Sequence, residues 1–351
     1  MNTTSAERIS LRSPAALCCA VPHLLGFHPR SSAVLVWMAA GRLILTQRLD
    51  LPVAGVSVDE WVAALWSHHG AEVADEVVVV LVVDDTHVGP PHGGLQSVSN
   101  AVCRQAQSSS ISVRDVIVHA DDRWWSMLCS DLTCCPQEGQ LISPELRSTV
   151  TAYFASDGLP PLRSRSDVVT ALNRDEQAAA AVLATGVLQK PRLMTTAARE
   201  RWRDSVLVNL LAWTSSNRSA ETPHRLAHLL LGLRDVRVRD TLLWHLSRAE
   251  IHELRRAQGQ LCRILRQAPP GETAPAATVA AVVLWLLGDG VRAVAACDRA
   301  LGDDCHYSLG RLIAASISAG LPPAEWRAAM GSLTWETCRY GEDLQPEVET
   351  L

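Results

Sequence analysis

Two valine-rich apolar runs each end in acidic or imidazole side chains. Val77–Val83 is followed by Asp84-Asp85, and Val113–His119 closes on His119 and is followed by Asp121-Asp122. In open α/β sheets, ligands sit outside the carboxyl ends of the strands. Carboxylates and an imidazole gathered there could hold a hard cation such as Mg²⁺, or serve as acid and base. On that reading Asp84, Asp85, His119 and Asp121 are the catalytic candidates of a metal-assisted enzyme acting on a phosphorylated or nucleotide-like substrate. Adjacent aspartates point to opposite sides of an extended chain, so each pair offers one inward oxygen cluster. Aspartate is equally at home in solvated turns after strands. The loop Leu25–Arg30 adds His28 and Arg30 as ligand-binding candidates if its strand neighbours these ends.

Cys129, Cys134 and Cys135 form a second group. Zinc takes four nitrogen or sulfur ligands, usually from Cys-x₂₋₄-Cys pairs. The first gap suits that rule, but no second pair follows, so a fourth ligand must come from His119 or from afar. The alternatives are redox-active thiols, or small buried hydrophobes beside a Cys135-Pro136 turn. Arg123-Trp124-Trp125 could stack an arginine, a base or an anion, with Arg123 and Trp124 as ligand-binding candidates. On a strand the two indoles face opposite ways, so one belongs to the core. Gly89–Gly94 could cradle a phosphate before a helix, yet it matches neither phosphate-loop nor dinucleotide-binding spacing. No nucleophile motif is present, and no motif requires a cofactor.

The elements that position these groups follow from patterning. The 351 residues are 48% hydrophobic and 20% charged, a globular profile. Ser31–Met38 and Arg42–Leu51 read as strands joined by a tight turn at Ala39-Ala40-Gly41. Ser57 with Glu60 caps a helix, Glu76–Val83 is a central strand, Leu95–Gln107 a helix, and Val113–His119 a further strand. Ser143-Pro144 starts another helix. The alternation predicts an α/β N-terminal domain with a mixed, partly parallel sheet. Gly158–Arg165 is turn-rich. Beyond it the pattern is all helical, with candidates at 167–188, 195–215, 223–233, 236–248, 249–267, 274–287, 291–301, 306–319 and 323–330. The expected organisation is 1–157 α/β, 158–166 linker, 167–340 helical and 341–351 acidic tail.

Net charge is −5, but it is segregated: −7 over residues 1–160, +8 over 161–270 and −6 over 271–351. The basic middle predicts helices docked on the acidic α/β domain or acidic tail. It also leaves open an anion or nucleic-acid binder through the 161–270 arginines, though no recognition motif accompanies them. No apolar run reaches the length of a membrane span, and residues 1–13 lack a signal-peptide core, so the expectation is a cytoplasmic protein with free thiols.

Three stretches carry a family resemblance. Leu11–Val36 (LRSPAALCCAVPHLLGFHPRSSAVLV) with Gly41–Pro52, Asp121–Ile142 (DDRWWSMLCSDLTCCPQEGQLI) and Trp285–Ile313 resemble the actinobacterial family DUF4192, a domain of unknown function. The resemblance implies an actinobacterial, cytoplasmic protein and no known activity. Leu284-Trp285, Leu287-Gly288, Ala293, Ala300-Leu301 and Cys305 also resemble one tetratricopeptide-type hairpin, with Cys305 where proline is usual. One unit is fewer than a solenoid needs. The leading expectation is a non-catalytic binding or scaffold module for a protein or small ligand, with a protein partner reached through the C-terminal helices.

Overall fold

The computed structural model describes residues 13–341 apart from 54, 68, 85–92, 158–159, 190–194 and 217–220. The chain divides into two units, Met1–Asp167 with Ala319–Leu321, and Val168–Ser318 with Pro322–Leu351.

The first unit is built on six strands: β1 (Ser32–Ala39), β2 (Arg42–Asp50), β3 (Glu76–Val82), β4 (Ser112–Ala120), β5 (Arg123–Ser126) and β6 (Gln140–Leu141). Their order is β2-β1-β3-β4-β5-β6. Only β3 and β4 pair in parallel, joined through a helix, α4 (Gly93–Ser108). Every other neighbouring pair is antiparallel. The β1–β2 hairpin turns on Ala40 and Gly41 at φ 49° and 71°. Both are left-handed, as a two-residue hairpin matched to strand twist requires.

β3 is buried on both faces, which its unbroken valine run dictates. On one side, Ala33, Leu35, Trp37, Val77, Val79, Leu81, Val116 and Val118 pack against α4 and against Val62, Leu65 and Trp66 of α2 (Val58–Trp66). Ser57 starts α2 by accepting the Glu60 N–H at 3.3 Å. A short helix, α3 (His69–Val73), precedes β3. On the other side lies α1 (Pro14–Leu25), with α5 (Pro144–Asp157) packed beside it. Helix α1 begins with Ser13 capping and Pro14 in its first turn, and ends on left-handed Gly26.

The second unit is all helical among its described residues: α6 (Arg165–Ala171), which begins in the first unit, then α7 (Glu176–Ala184), α8 (Thr196–Thr214), α9 (Pro223–Arg234), α10 (Val236–Arg248), α11 (Ile251–Gln267), α12 (Thr273–Leu286), α13 (Gly290–Asp303), α14 (Ser308–Ser318), α15 (Pro323–Gly331) and α16 (Trp335–Tyr340). The expected helix over 167–188 is two helices. Between them, the Asp175 N–H donates to Arg266 O and the Arg174 guanidinium donates to Ala268 O. Tertiary hydrogen bonds win over continued helix there, and Asp175 then caps α7. Helix α12 is buried along its length except at Pro275, enclosed by α9, α10, α11, α13, α14 and α15. Helix α12 is therefore the core of this unit, with α13 packed along it.

Several arginines of the basic middle find partners among the helices. Arg203 pairs with Glu200 and Asp235, Arg225 with Glu221, Arg239 with Asp240, and Arg234 with Glu272. Arg248 lies 3.8 Å over the Trp244 ring and donates to backbone oxygens of Met330, Gly331 and Leu333. These partners all belong to the helical unit itself. Guanidinium groups suit such carboxylate and carbonyl partners because their planar fork offers five donors.

Candidate functional site at the strand ends

One register row crosses the whole sheet. Asp50 pairs with Ser32, Ser32 with Val82, Val82 with His119, His119 with Trp124, and Trp124 with Gln140. Because paired residues share a face, this row sets the rim of the sheet at the carboxyl ends of β3 and β4. His28, Arg30, Asp84 and Asp121 lie just beyond it in the chain. Arg30, Asp84, His119 and Trp124 thus share one edge, but their reactive atoms form separate contacts.

Asp84 accepts from the Ser31 hydroxyl at 2.7 Å and from Arg30 Nε at 3.1 Å. The Ser31 hydrogen bond, reinforced by Arg30, holds the carboxyl below the usual carboxylate range. Ser31 is itself left-handed, at φ 41°. Behind it, Ser32 Oγ donates to Arg30 O at 2.6 Å and accepts from Arg48 Nε at 2.9 Å, fixing the approach to β1. Arg30 keeps 76% of its side chain exposed. His28 is exposed, and its backbone N–H donates to Leu162 O at 2.9 Å.

His119 is half-buried, and its Nε2 lies 3.1 Å from the Asp121 carbonyl oxygen. That contact places the ring proton on Nε2 and leaves Nδ1 as the basic atom. Burial keeps the imidazole below its ordinary value, and the Arg147 guanidinium adds to this. Asp121 opens the β4–β5 turn at φ 51°, exposed to solvent. Asp85 and most of the Gly89–Gly94 loop lie outside the described residues.

Arg123 and Trp124 part company. Arg123 Nη1 donates to the carbonyl oxygens of Glu138 and Gly139, 3.1 Å each, so the arginine braces the β5–β6 loop. Trp124 is half-buried beside His119 in the register row, while Trp125 is a core residue donating to Gln137 O at 3.0 Å.

The cysteines do converge. Among the described residues, the one group of three or more His, Cys, Asp or Glu side chains with ligating atoms mutually within 4.8 Å is Cys129, Cys134 and Cys135. His119 is not part of it. Sequence reasoning overlooked the residues that assemble these sites: Ser31 under Asp84, and Ser126 and Asp131 around the cysteines. Asp131-Leu132-Thr133 carried a usable signal, since Asp two residues before Thr favours a side-chain-closed turn.

A mixed six-stranded α/β unit followed by a helical unit is the class of protein that this fold defines. The chain belongs to the family described as a domain of unknown function, DUF4192, whose model matches residues 14–324. No curated protein and no solved structure matches the chain. Among the described residues, no helix is long and apolar enough to cross a membrane.

Proposed function

We propose that the chain acts by binding rather than by catalysis, and that its α/β unit takes a small anionic ligand at the strand-end rim. The register row from Ser32 through Val82 to His119 carries this reading together with the Arg30–Asp84 contact, because the two bring Arg30 and the neutral His119 to one edge. Exposed Arg30 exchanges its Asp84 partner for a ligand carboxylate or phosphate, a swap between equivalent charge-assisted hydrogen bonds. Asp84 serves as the resting counter-ion. A metal-assisted reaction needs carboxylate oxygens free to converge, whereas both oxygens of Asp84 are bonded to Ser31 and Arg30. The setting we infer is the reducing cytoplasm of an actinobacterium. Ten free thiols and a composition with Lys190 as the single lysine support it.

A saturation-transfer NMR screen of the full chain against small phosphates and carboxylates tests the proposal. Hits that disappear in Arg30→Gln are the expected result. An empty screen, or hits that persist in Arg30→Gln, overturns it.

A further inference from the structure

The loop from Met127 to Gly139, between β5 and β6, takes no part in the strand-end rim. Its three thiols nevertheless gather, each sulfur within 4.8 Å of the other two. Apolar burial does not explain this. Cys134 is exposed, and Leu128 and Leu132 of the same loop are 45% and 62% exposed.

A hydrogen-bonded frame holds the cysteines instead. Asp131 Oδ1 accepts from the Thr133 N–H at 2.8 Å and its hydroxyl at 2.7 Å. The Asp131 carbonyl accepts the N–H groups of Cys134 and Cys135 at 3.1 and 2.7 Å. Ser126 Oγ donates to Asp115 at 2.7 Å and accepts from the Cys129 N–H at 3.1 Å. Gln140 Nε2 donates to Cys134 O at 2.6 Å. At the base, Gly139 at φ 80° sits against the Trp125 ring, where only a residue without a Cβ fits.

Three sulfurs on a preformed, partly exposed frame match a thiophilic cation. A Zn–S bond of about 2.3 Å sets tetrahedral sulfurs about 3.8 Å apart, so the cluster has to contract by at most about 1 Å. Thiolates select zinc over Mg²⁺ or Ca²⁺. We propose that Cys129, Cys134 and Cys135 form a zinc site with three thiolate ligands and a fourth position filled by water or an incoming ligand. Binding converts Zn²⁺ and three thiols to a Zn(S–Cys)₃ centre of charge −1 and releases three protons. Affinity therefore rises with pH. The site is independent of the anion reading at the rim, and its test does not involve the rim residues.

The experiment is a Co²⁺ titration of the full chain, purified under reducing conditions and stripped by chelation. The expected result is one Co²⁺ per chain with intense sulfur-to-cobalt charge-transfer absorption, displaced by one equivalent of Zn²⁺. Cys134→Ser, at an exposed position, weakens binding at least about tenfold. Cys305→Ser, an exposed cysteine of the helical unit, leaves the titration unchanged. In the unaltered chain, Zn²⁺ slows iodoacetamide labelling of the three cysteines, read by peptide mass; this arm stands whether or not a variant folds. Absence of the charge-transfer band, unprotected labelling, or a disulfide among the three thiols in anaerobically purified protein overturns the proposal.

Discussion

Arg339 holds the carboxylate of Asp204 with two hydrogen bonds to a single oxygen, from Nη2 at 2.7 Å and Nε at 3.1 Å. The guanidinium is 1% exposed and also reaches Glu200 at 2.6 Å, so the last described helix, α16, is tied to α8 by charge. Asp204 is 58% exposed, so solvent screens much of the Coulomb attraction. Most of the loss in Arg339→Met therefore comes from the charge-assisted hydrogen bonds, about 2 kcal/mol. Calorimetry is expected to show the helical unit melting roughly 4–8 °C lower. Asp204→Asn, which keeps an acceptor oxygen, is expected to cost less than half as much.

Gly139 and Gly41 separate steric from conformational cost. Both are left-handed, at φ 80° and 71°, but a Cβ on Gly139 runs into the Trp125 ring, whereas one on Gly41 meets nothing within 4 Å. Gly41→Ala is expected to cost about 1 kcal/mol from backbone strain alone. Gly139→Ala adds a clash with a core indole that is anchored on Gln137 O, for a total of about 3 kcal/mol or more. Denaturant midpoints of the two variants, compared at equal slope, read the difference. Equal midpoints would show that the β5–β6 loop yields freely.

His119 makes the α/β unit acid-sensitive. Its folded pKa lies below the ordinary 6.5, chiefly through burial. As pH falls below about 6.5 the unfolded chain takes up the proton first, so this contribution is intact above that value and is lost on acidification toward the folded pKa. The neighbouring charges are Arg147, which opposes protonation, and Asp121, which favours it. Imidazole NMR titration is expected to place His119 below 6.5. His119→Gln is expected to flatten the stability profile between that pKa and 6.5.

Asp303, at the end of α13, caps the helix before it. Its carboxylate accepts the N–H groups of Gly271 and Thr273 at 2.8 Å each and of Ala274 at 3.1 Å. Asp303→Ala leaves these donors at a helix N-terminus without that acceptor, a loss of about 2 kcal/mol. The denaturation midpoint of the helical unit is expected to fall, and Asp303→Asn is expected to recover part of it.

Patterning reveals the elements whose partners are uniform. The valine run of β3, the Ala40–Gly41 hairpin and eight of the nine helix candidates from residue 167 on are legible because burial on one or both faces writes a period into the residues. The misses have local causes. Helix α1 carries Pro22 in its interior, which argues against helix in the sequence but is accommodated in the structure. Strands β5 and β6 span four and two residues, too short to show alternation. The break at Arg174 depends on carbonyls of residues 266 and 268, nearly a hundred positions away. The strand-end residues were legible as a rim. Their pairings were not, because Arg30, Ser31 and Asp84 meet only through the antiparallel β1–β3 register. The spacing of Cys129, Cys134 and Cys135 marked them as a group, but not what gathers them, a side-chain-closed turn at Asp131.

The enclosure of α12 bears on how this half of the chain can be divided. A helix buried on every side has no surface of its own to show water. A fragment that ends before it, or one that begins after it, leaves its neighbours with a bare apolar trench. The helices around α12 are therefore inseparable: they cannot be shortened a repeat at a time as a solenoid can, and a fragment has to keep α9 through α15 together.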